Sequence, residues 1–305
     1  MRYINNETLD YMIRSGEHWI RKDIENYIEG NAVKELPLKP GTKQYKIGII
    51  IPNYNYSEWL DKSIGSILNQ TYPNYEIIFI DDMSTDNSYE KAKQLIGNKG
   101  KAVKLKQRRY NGGARNEGYL YLSDVDYVWY IDSDDWIPLN ALETINQNLQ
   151  GNPDVLFVGI GTDIQGINAS YYIPDYKDKY EAIKGWSGSS GKVIKKDLAI
   201  KCLYPEGTLK EDRTQHYKVC IEMNSYRCIR EILYYWNRNN TKSVTTERNI
   251  KWKADTIRNW ADSIEMYETY KGKDIKIDEI LLARVENCKN EVMNNEDSQQ
   301  WDTLY

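Results

Sequence analysis

Short apolar runs alternate with amphipathic stretches through the first half of the chain. Ile47 to Ile51 is a continuous apolar run stopped by Pro52, which suits a buried strand. Ser57 stands where a cap would start a helix carrying Leu60, Ile64, Ile67 and Leu68 at helical spacing. Pro73 ends that element, and Glu76 to Ile80 reads as a second strand with carboxylates at its end. A helix near Asn87 to Ile96, a strand near Ala102 to Leu105 and a helix from Gly112-Gly113 to Leu122 follow, before the strand Tyr127 to Ile131. Strands alternating with helices predict a largely parallel α/β sheet, which binds ligands beyond the carboxyl ends of its strands.

The flanks read differently. Leu9, Ile13, Gly16, Ile20, Ile24, Tyr27 and Ile28 predict a helix over 7–29, stopped by Gly30-Asn31 and followed by a linker from Pro37 to Gly41. After Asp154 the pattern is irregular. A strand from Asp154 to Val158, a small-residue loop from Gly185 to Gly191, a helix from Glu211 to Ile221 and a strand near Ile229 to Tyr235 are expected. The tail from Ile250 is helical, with Ala254, Ile257, Ala261, Ile264 and Tyr267 as the stripe expected to dock. No internal repeat is visible.

Composition narrows the class. Among 305 residues, 40% are hydrophobic, enough for a core. The aromatics are 26 Tyr and 9 Trp against 2 Phe, rings with a flat apolar face and a polar edge that permit a sugar ligand. Lys plus Arg number 41 and Asp plus Glu 45, a net charge of -4 that exerts no global pull on nucleic acid. The local exception is the cluster Lys99, Lys101, Lys104, Lys106, Arg108 and Arg109, a candidate contact for a polyanion or for membrane headgroups. Cys202, Cys220, Cys228 and Cys288 have no CxxC spacing, which argues against thiolate metal or redox chemistry. With no signal-peptide core and no apolar run near the ~20 residues of a span, the expectation is a cytoplasmic protein without a transmembrane segment.

The chemistry gathers at three strand ends. The first carries Pro52-Asn53-Tyr54-Asn55, with an aromatic able to stack on a base. The second carries Asp81-Asp82, then Ser84 and Asp86; the carboxylates either accept the imide N–H of a uracil or cap the next helix. The third is Val128-Trp129-Tyr130-Ile131-Asp132-Ser133-Asp134-Asp135, an apolar run ending in an Asp-x-Asp pair. Oxygen ligands of that kind suit Mg²⁺ or Mn²⁺ held against a phosphate. Between them lie Asn111-Gly112-Gly113-Ala114-Arg115-Asn116, whose arginine has the planar fork that binds a diphosphate.

In this order, Ile49 to Asn55, Ser66-Ile67-Leu68-Asn69-Gln70-Thr71-Tyr72, Ile80 to Asp86, Asn111 to Asn116 and Ile131 to Asp135 resemble glycosyltransferase family 2. The resemblance covers residues 47 to about 145, the nucleotide-sugar-binding half of a GT-A fold. It implies that Pro52 and Tyr54 line the nucleoside site, that Asp82 reads the uracil, and that Arg115 lies near the diphosphate or the base. It implies that Asp134 ligates the metal, Mn²⁺ or Mg²⁺, and that Asp132 contacts the ribose or the metal through water. More loosely, Pro205-Glu206-Gly207 with Glu211-Asp212 resembles the segment bearing the family's base. Asp212 is then the general base for an acceptor hydroxyl, with inversion at the anomeric carbon, and Glu211 is an acceptor-side neighbour.

Tyr235-Trp236-Asn237-Arg238 and Lys242-Ser243-Val244-Thr245 resemble the mobile loop over the donor, so Arg238 or Lys242 is expected at the diphosphate. Trp186 falls where the family places an aromatic near the acceptor, although Gly185-Trp186-Ser187-Gly188-Ser189-Ser190-Gly191 is richer in Gly and Ser than that pattern. His216 is the nearby histidine for a third metal ligand, a position more often structural. The domain expectation is a helical arm and linker over 1–44, a GT-A domain over 45–245 (donor half 45–150, acceptor half 151–245) and a helical region over 246–305.

The expected activity is metal-dependent, inverting transfer of a hexosyl or N-acetylhexosaminyl group from a UDP-sugar to a surface-glycan precursor of capsule, lipopolysaccharide or teichoic acid. The runner-up acceptors are protein and modified DNA. An Asp-based phosphohydrolase needs its nucleophile on the first strand, where Pro52-Asn53-Tyr54 stands instead, and a dehydrogenase needs G-x-G-x-x-G there. A protein that only binds nucleotide-sugar is disfavoured by the intact Asp-x-Asp and Glu211-Asp212. The amphipathic arms suggest homo-oligomer contacts.

Overall fold

A computed structural model describes residues 43–241 and 250–293. The helix expected over 7–29, the linker after it and Lys242 lie outside these residues. Strands β1 (Ile47–Asn53), β2 (Tyr75–Asp81), β3 (Gly100–Lys104) and β4 (Tyr127–Tyr130) pair in parallel in the order β3-β2-β1-β4. Between them run α1 (Leu60–Leu68), α2 (Ser88–Ile96) and α3 (Tyr110–Gly118). The sheet continues antiparallel through β7 (Lys192–Lys195) to β5 (Val155–Ile164), which forms a hairpin with β6 (Ile167–Tyr172). β8 (Tyr226–Asn237) runs parallel to β5 along its other edge.

The apolar runs are continuous because the sheet is covered on both faces. Ile47, Ile49 and Ile51 enter one core with Ile77, Phe79, Tyr127 and Trp129, beneath α1 and α4 (Ala141–Asn148). Ile50, Ile78, Ile80, Val128 and Tyr130 enter the other. That second core is covered by α3, α5 (Lys179–Lys184), α6 (Lys196–Lys201), α7 (Glu211–Glu222) and the helical pair α8 (Ile250–Tyr270) and α9 (Ile275–Met293). Period-two alternation thus sorts each strand between two cores and directs the strand ends to one edge.

Several expectations change. Helix α1 starts at Leu60 with Trp59 as its cap residue, and Ser57 instead donates its backbone N–H to Asp86. Asp86, not Asp81 or Asp82, receives the Ser88 N–H at the start of α2. The β5–β6 hairpin, turned at Gln165 and Gly166 with positive φ at both, and the short β7 were absent from the sequence pattern. Only part of the stripe expected to dock α8 does so: Ile257 and Tyr267 are half-buried, Tyr267 on the second core, but Ala254, Ala261 and Ile264 are exposed, while Asp255, Asn259, Ser263 and Met266 are buried. The reason is the partner surface. Helix α8 packs against the polar start of α7 and against α9, where Asp255 accepts the Leu209 N–H and Asn259 accepts from Arg284.

Gly159 sits where the β5–β8 register shifts, and a Cβ there would lie 2.7 Å from the Glu231 carbonyl oxygen. Gly65, in α1, has open space where a Cβ would stand. Gly159→Val should therefore lower stability by about 1–3 kcal/mol, whereas Gly65→Ala should raise it by about 0.5–1 kcal/mol. Urea midpoints of the two variants, moving in opposite directions from the parent, check this.

Candidate active site

The loops after β1 and β2 are sewn to each other. Asn53 donates to Asp81 and to Ser84 Oγ, both at 3.1 Å, and Ser84 Oγ accepts the Asn55 N–H at 2.9 Å. Asn55, Met83 and Tyr110 all have φ near +60°, a conformation that non-glycine residues adopt only where the surroundings hold them. Asp82 provides some of that holding: it accepts the backbone N–H of Arg109 at 2.7 Å and of Tyr110 at 2.8 Å, and its Oδ2 lies 2.8 Å from Arg108 Nε.

Helix α3 then draws in the segment before α7. A Cβ at Gly112 would stand 2.3 Å from the Pro205 carbonyl oxygen, so only glycine lets the two backbones meet. Asn116 clamps Tyr204 at both its N–H and its C=O, each at 3.0 Å, and Arg109 grips Glu206 with two nitrogens at 3.0 and 2.6 Å. These contacts set Arg115 among the carboxylates. Its Nη1 donates to Glu211 at 2.7 Å and Asp212 at 3.1 Å, and its Nη2 to Asp132 at 2.8 Å. Burial alone would lower the Arg115 pKa, but Asp132, Asp212 and Glu211 outweigh it and hold the guanidinium charged, well above its ordinary range.

The two acidic neighbours at the start of α7 differ in kind. Glu211 is 5% exposed, and burial with the adjacent Asp212 charge pushes its carboxyl up despite Arg115. Asp212 is 40% exposed. Its Oδ1 accepts from Arg115 and from Ser189 Oγ, which itself accepts from the Tyr204 hydroxyl at 2.8 Å. Both donors reach Oδ1, and among the described residues no donor reaches Oδ2.

At the end of β4 the three aspartates part company. Asp135 is tied to β8, accepting the Asn237 N–H at 2.7 Å and the Tyr234 hydroxyl. Asp134 accepts the Asn240 side-chain amide at 2.7 Å and faces the cleft; burial and the Asp132 charge raise its pKa to about 6. Among the described residues no three His, Cys, Asp or Glu side chains form a closed metal cage. One or two open carboxylates beside a cleft are nevertheless what a cation bridging to phosphates requires. Asp134, with Asp132 beside it, fits that need.

These residues border a cavity of about 430 Å³, whose walls include Pro52, Tyr54, Arg115, Asp132, Asp134, Glu211 and Asp212. Two of the residues expected at the donor make close contacts within the domain. Arg115, at the cavity wall, is 1% exposed and shared among three carboxylates, Asp132, Glu211 and Asp212. Asp82 is 2% exposed and does not border the cavity, because its oxygens hold the Arg109–Tyr110 turn. Arg238 is exposed and stacks over Trp236, 4.5 Å from the ring centre, outside that cavity. Trp186 borders a second cavity, of about 260 Å³, that shares Asp132 and Asp212 with the first. His216 is buried, its Nε2 2.9 Å from the Ala182 carbonyl, and burial holds it neutral, a structural donor to that carbonyl.

Several residues of the cleft carry no signal in the sequence. Arg108 lies over the Tyr54 ring at 3.1 Å from its centre, so one face of the aromatic expected to stack on a base is covered by an arginine. Much of the basic cluster is likewise engaged within the domain: Lys101 on the Tyr121 carbonyl, Lys104 on the Ser84 carbonyl, Arg109 on Glu117 and Glu206. Tyr56 borders the cleft near Asp134, and Asn259 and Glu291 bring α8 and α9 to its rim. Nothing in their spacing pointed to these positions.

The fold and the acidic cleft together define a transferase of activated sugars. Residues 48–200, half of the chain, match the family model described as glycosyl transferase family 2. The chain belongs to that family and is a glycosyltransferase. It is 26% identical over 239 residues to glycosyltransferase GlyG of Streptococcus pneumoniae, covering 72% of this chain and 79% of that one. Over 128 residues it is 38% identical to the poly(ribitol-phosphate) beta-N-acetylglucosaminyltransferase TarP of Staphylococcus aureus, covering 40% of this chain and 38% of TarP. The chain thus spans well under half of that relative's length. Among solved structures, S. aureus TarS 1-349 in complex with UDP-GlcNAc superposes with a TM-score of 0.66 at 17% identity, over 85% of this chain and 76% of TarS 1-349. The mannosyltransferase PcManGT of Pyrobaculum calidifontis, in complex with GDP-Man and Mn²⁺, gives a TM-score of 0.54 at 15% identity over 84% and 76%. The fold is the GT-A fold expected from the sequence. Among the described residues no helix is long and apolar enough to cross a membrane.

Lys192 is fully buried behind Asp212, donating to the Ser187 and Gly188 carbonyls at 2.9 and 2.7 Å. Burial pushes its pKa down from 10.5 to about 8. Between those values the unfolded chain holds a proton that the folded chain has released, so stability should rise with pH through that window, by up to about 3 kcal/mol. Lys192→Met should flatten the rise. Urea midpoints of both proteins between pH 7.5 and 10 measure the difference.

Proposed function

We propose that the protein transfers a sugar from a UDP-sugar to an acceptor hydroxyl in surface-glycan synthesis, with inversion and with Mn²⁺ or Mg²⁺ bound at Asp134 and Asp132. The observation that carries this reading is Arg115, which gathers Asp132 from the end of β4 and Asp212 from the start of α7 at one cleft. Named relatives support the donor and the setting: TarS was solved with UDP-GlcNAc, TarP acts on poly(ribitol-phosphate), and WfgD of Escherichia coli is a UDP-Glc:alpha-D-GlcNAc-diphosphoundecaprenol glucosyltransferase. PcManGT, with Mn²⁺ bound, supports the metal.

Asp212 acts as the general base. It is the exposed member of its pair, and among the described residues no donor reaches its Oδ2, so it can take the proton of an attacking hydroxyl. Glu211 stays buried on Arg115 and holds that guanidinium in place. Tyr54 and Pro52 border the nucleoside end of the cleft, with Arg108 lying on Tyr54. The bound cation supplies charge neutralisation for the departing diphosphate. A single base and a single displacement give inversion. The transferase unit is taken as 45–245, in the cytoplasm, with α8 and α9 walling the cleft from the region after it.

Asp212→Asn should cut transfer about 10²–10⁴-fold, the usual share of a general base, and leave UDP-sugar affinity within twofold. Asp134→Asn should instead abolish the Mn²⁺-dependent part of donor binding. Titration calorimetry with a panel of UDP-sugars, beside a nucleotide-release assay, separates the two. Normal transfer by Asp212→Asn would remove that residue from the chemistry, and no nucleotide binding under any condition would sink the donor assignment.

A further inference from the structure

The second cavity adjoins the donor cleft at the same carboxylates. It shares Asp132, Asp212, Ser187 and Trp236 with that cleft, and adds Trp186, Tyr171 and the hydroxyl-bearing turn Ser189-Ser190. We propose that it is the acceptor subsite and that it takes a neutral pyranose ring, not a phosphate- or carboxylate-bearing unit. The inference rests on the transferase reading above, with Asp212 as base.

Its walls are aromatic and rigidly presented. Trp186 lies against Tyr172, with ring centres 5.9 Å apart and planes 30° apart. A Cβ on Gly188 would come within 2.3 Å of the indole, and one on Gly191 within 2.7 Å. The glycines that depart from the family pattern therefore let the indole lie down on its own loop. Opposite, Tyr171 from β6 meets Trp236 from β8 edge to face at 5.5 Å. Flat apolar faces with polar edges match the C–H faces and hydroxyl rim of a sugar ring. At about 260 Å³ the cavity falls below the ~300–1,000 Å³ of drug-sized sites, which suits one ring better than a length of chain.

The loop is braced from behind, leaving hydroxyls in front. Lys192 binds the Ser187 and Gly188 carbonyls, and Trp129 Nε1 donates to the Ser190 carbonyl at 2.7 Å. Among the described residues the Ser187 and Ser190 hydroxyls have no hydrogen-bond partner, so they remain available to a ligand's hydroxyls. Charge then decides the class. The described lining holds Asp132, Asp135 and Asp212 but no Lys or Arg. The one cation in contact with two of these, Arg115, is already shared among Asp132, Glu211 and Asp212. Lys192 sits behind the loop on its carbonyls, and Arg238 stacks on Trp236 without bordering the cavity. Among the described residues the lining offers an anionic acceptor unit no Lys or Arg to pair with, whereas its aromatic faces and hydroxyls match a neutral ring, which selects for the neutral ring.

The test uses the full chain, Mn²⁺ and the UDP-sugar that it binds, with nucleotide release measured alone and with added acceptors. The acceptors are neutral p-nitrophenyl pyranosides, the matching glucuronide and a ribitol-phosphate oligomer. At least one neutral pyranoside should stimulate release, at a kcat/KM tenfold or more above the glucuronide and the oligomer. Trp186→Ala and, independently, the surface change Tyr171→Ala should raise the KM for that pyranoside fivefold or more, with donor KM moving less than twofold. Stimulation by the oligomer or the glucuronide at equal or greater efficiency overturns the inference. So does the absence of stimulation by every neutral pyranoside, or unchanged acceptor KM in both variants. Donor binding measured alongside stays intact in those cases, whereas its loss would instead condemn the transferase reading.

Discussion

The buried guanidinium of Arg115 is the constraint on which the site depends. A charge sealed from water is tolerated only where opposite charges and hydrogen bonds answer it, and removing one partner of such a pair typically costs about 3–5 kcal/mol. Here the partners come from two distant places, Asp132 after β4 and Glu211-Asp212 at the start of α7. The same contacts that make the charge tolerable therefore bring Asp132 and Asp212 to one cleft. Folding and the assembly of the cleft are coupled through this one side chain.

That arrangement needs close approach, and small residues provide it. Gly112 lets the Pro205 backbone lie on α3, and Gly188 and Gly191 let Trp186 lie on its own loop. Each saves the space of one methyl group where a side chain would displace backbone or an aromatic ring. Asn116, Arg109 and Lys192 then lock the shortened distances with hydrogen bonds to Tyr204, Glu206 and the Ser187-Gly188 carbonyls. Helices α8 and α9 extend the same logic outside the region matched to the family, through Asp255 on the Leu209 N–H and Lys210 on Glu291. Their buried face mixes Met266, Tyr270, Ile277, Ile280 and Leu281 on the second core with Asp255, Asn259, Ser263 and Arg284, which meet polar partners.

Much of the first half is legible in the sequence. Continuous apolar strands and amphipathic helices alternate there, and two-faced burial makes that pattern plain, so β1, β2, β4 and α1 fall where expected within a few residues. The second half resists because its strands mix parallel and antiparallel neighbours. β5 has β7 and β6 along one edge and β8 along the other, so burial no longer follows a single period. Helix α8 misleads for the opposite reason: it has an apolar stripe, but a polar partner surface claims its polar side.

The amino-acid order by itself determined the alternating α/β sheet, the acidic strand ends and the family, since local periodicity and short motifs encode these without long-range information. Only the tertiary structure decided what each acidic group does. Asp132, Asp134, Asp135, Glu211 and Asp212 are alike in sequence, yet three share Arg115, of which Glu211 is sealed and Asp212 half-open, while Asp134 faces the cleft and Asp135 is tied to β8. A carboxylate's role is set by burial and by which donors reach it. Both depend on segments nearly a hundred residues apart meeting in space.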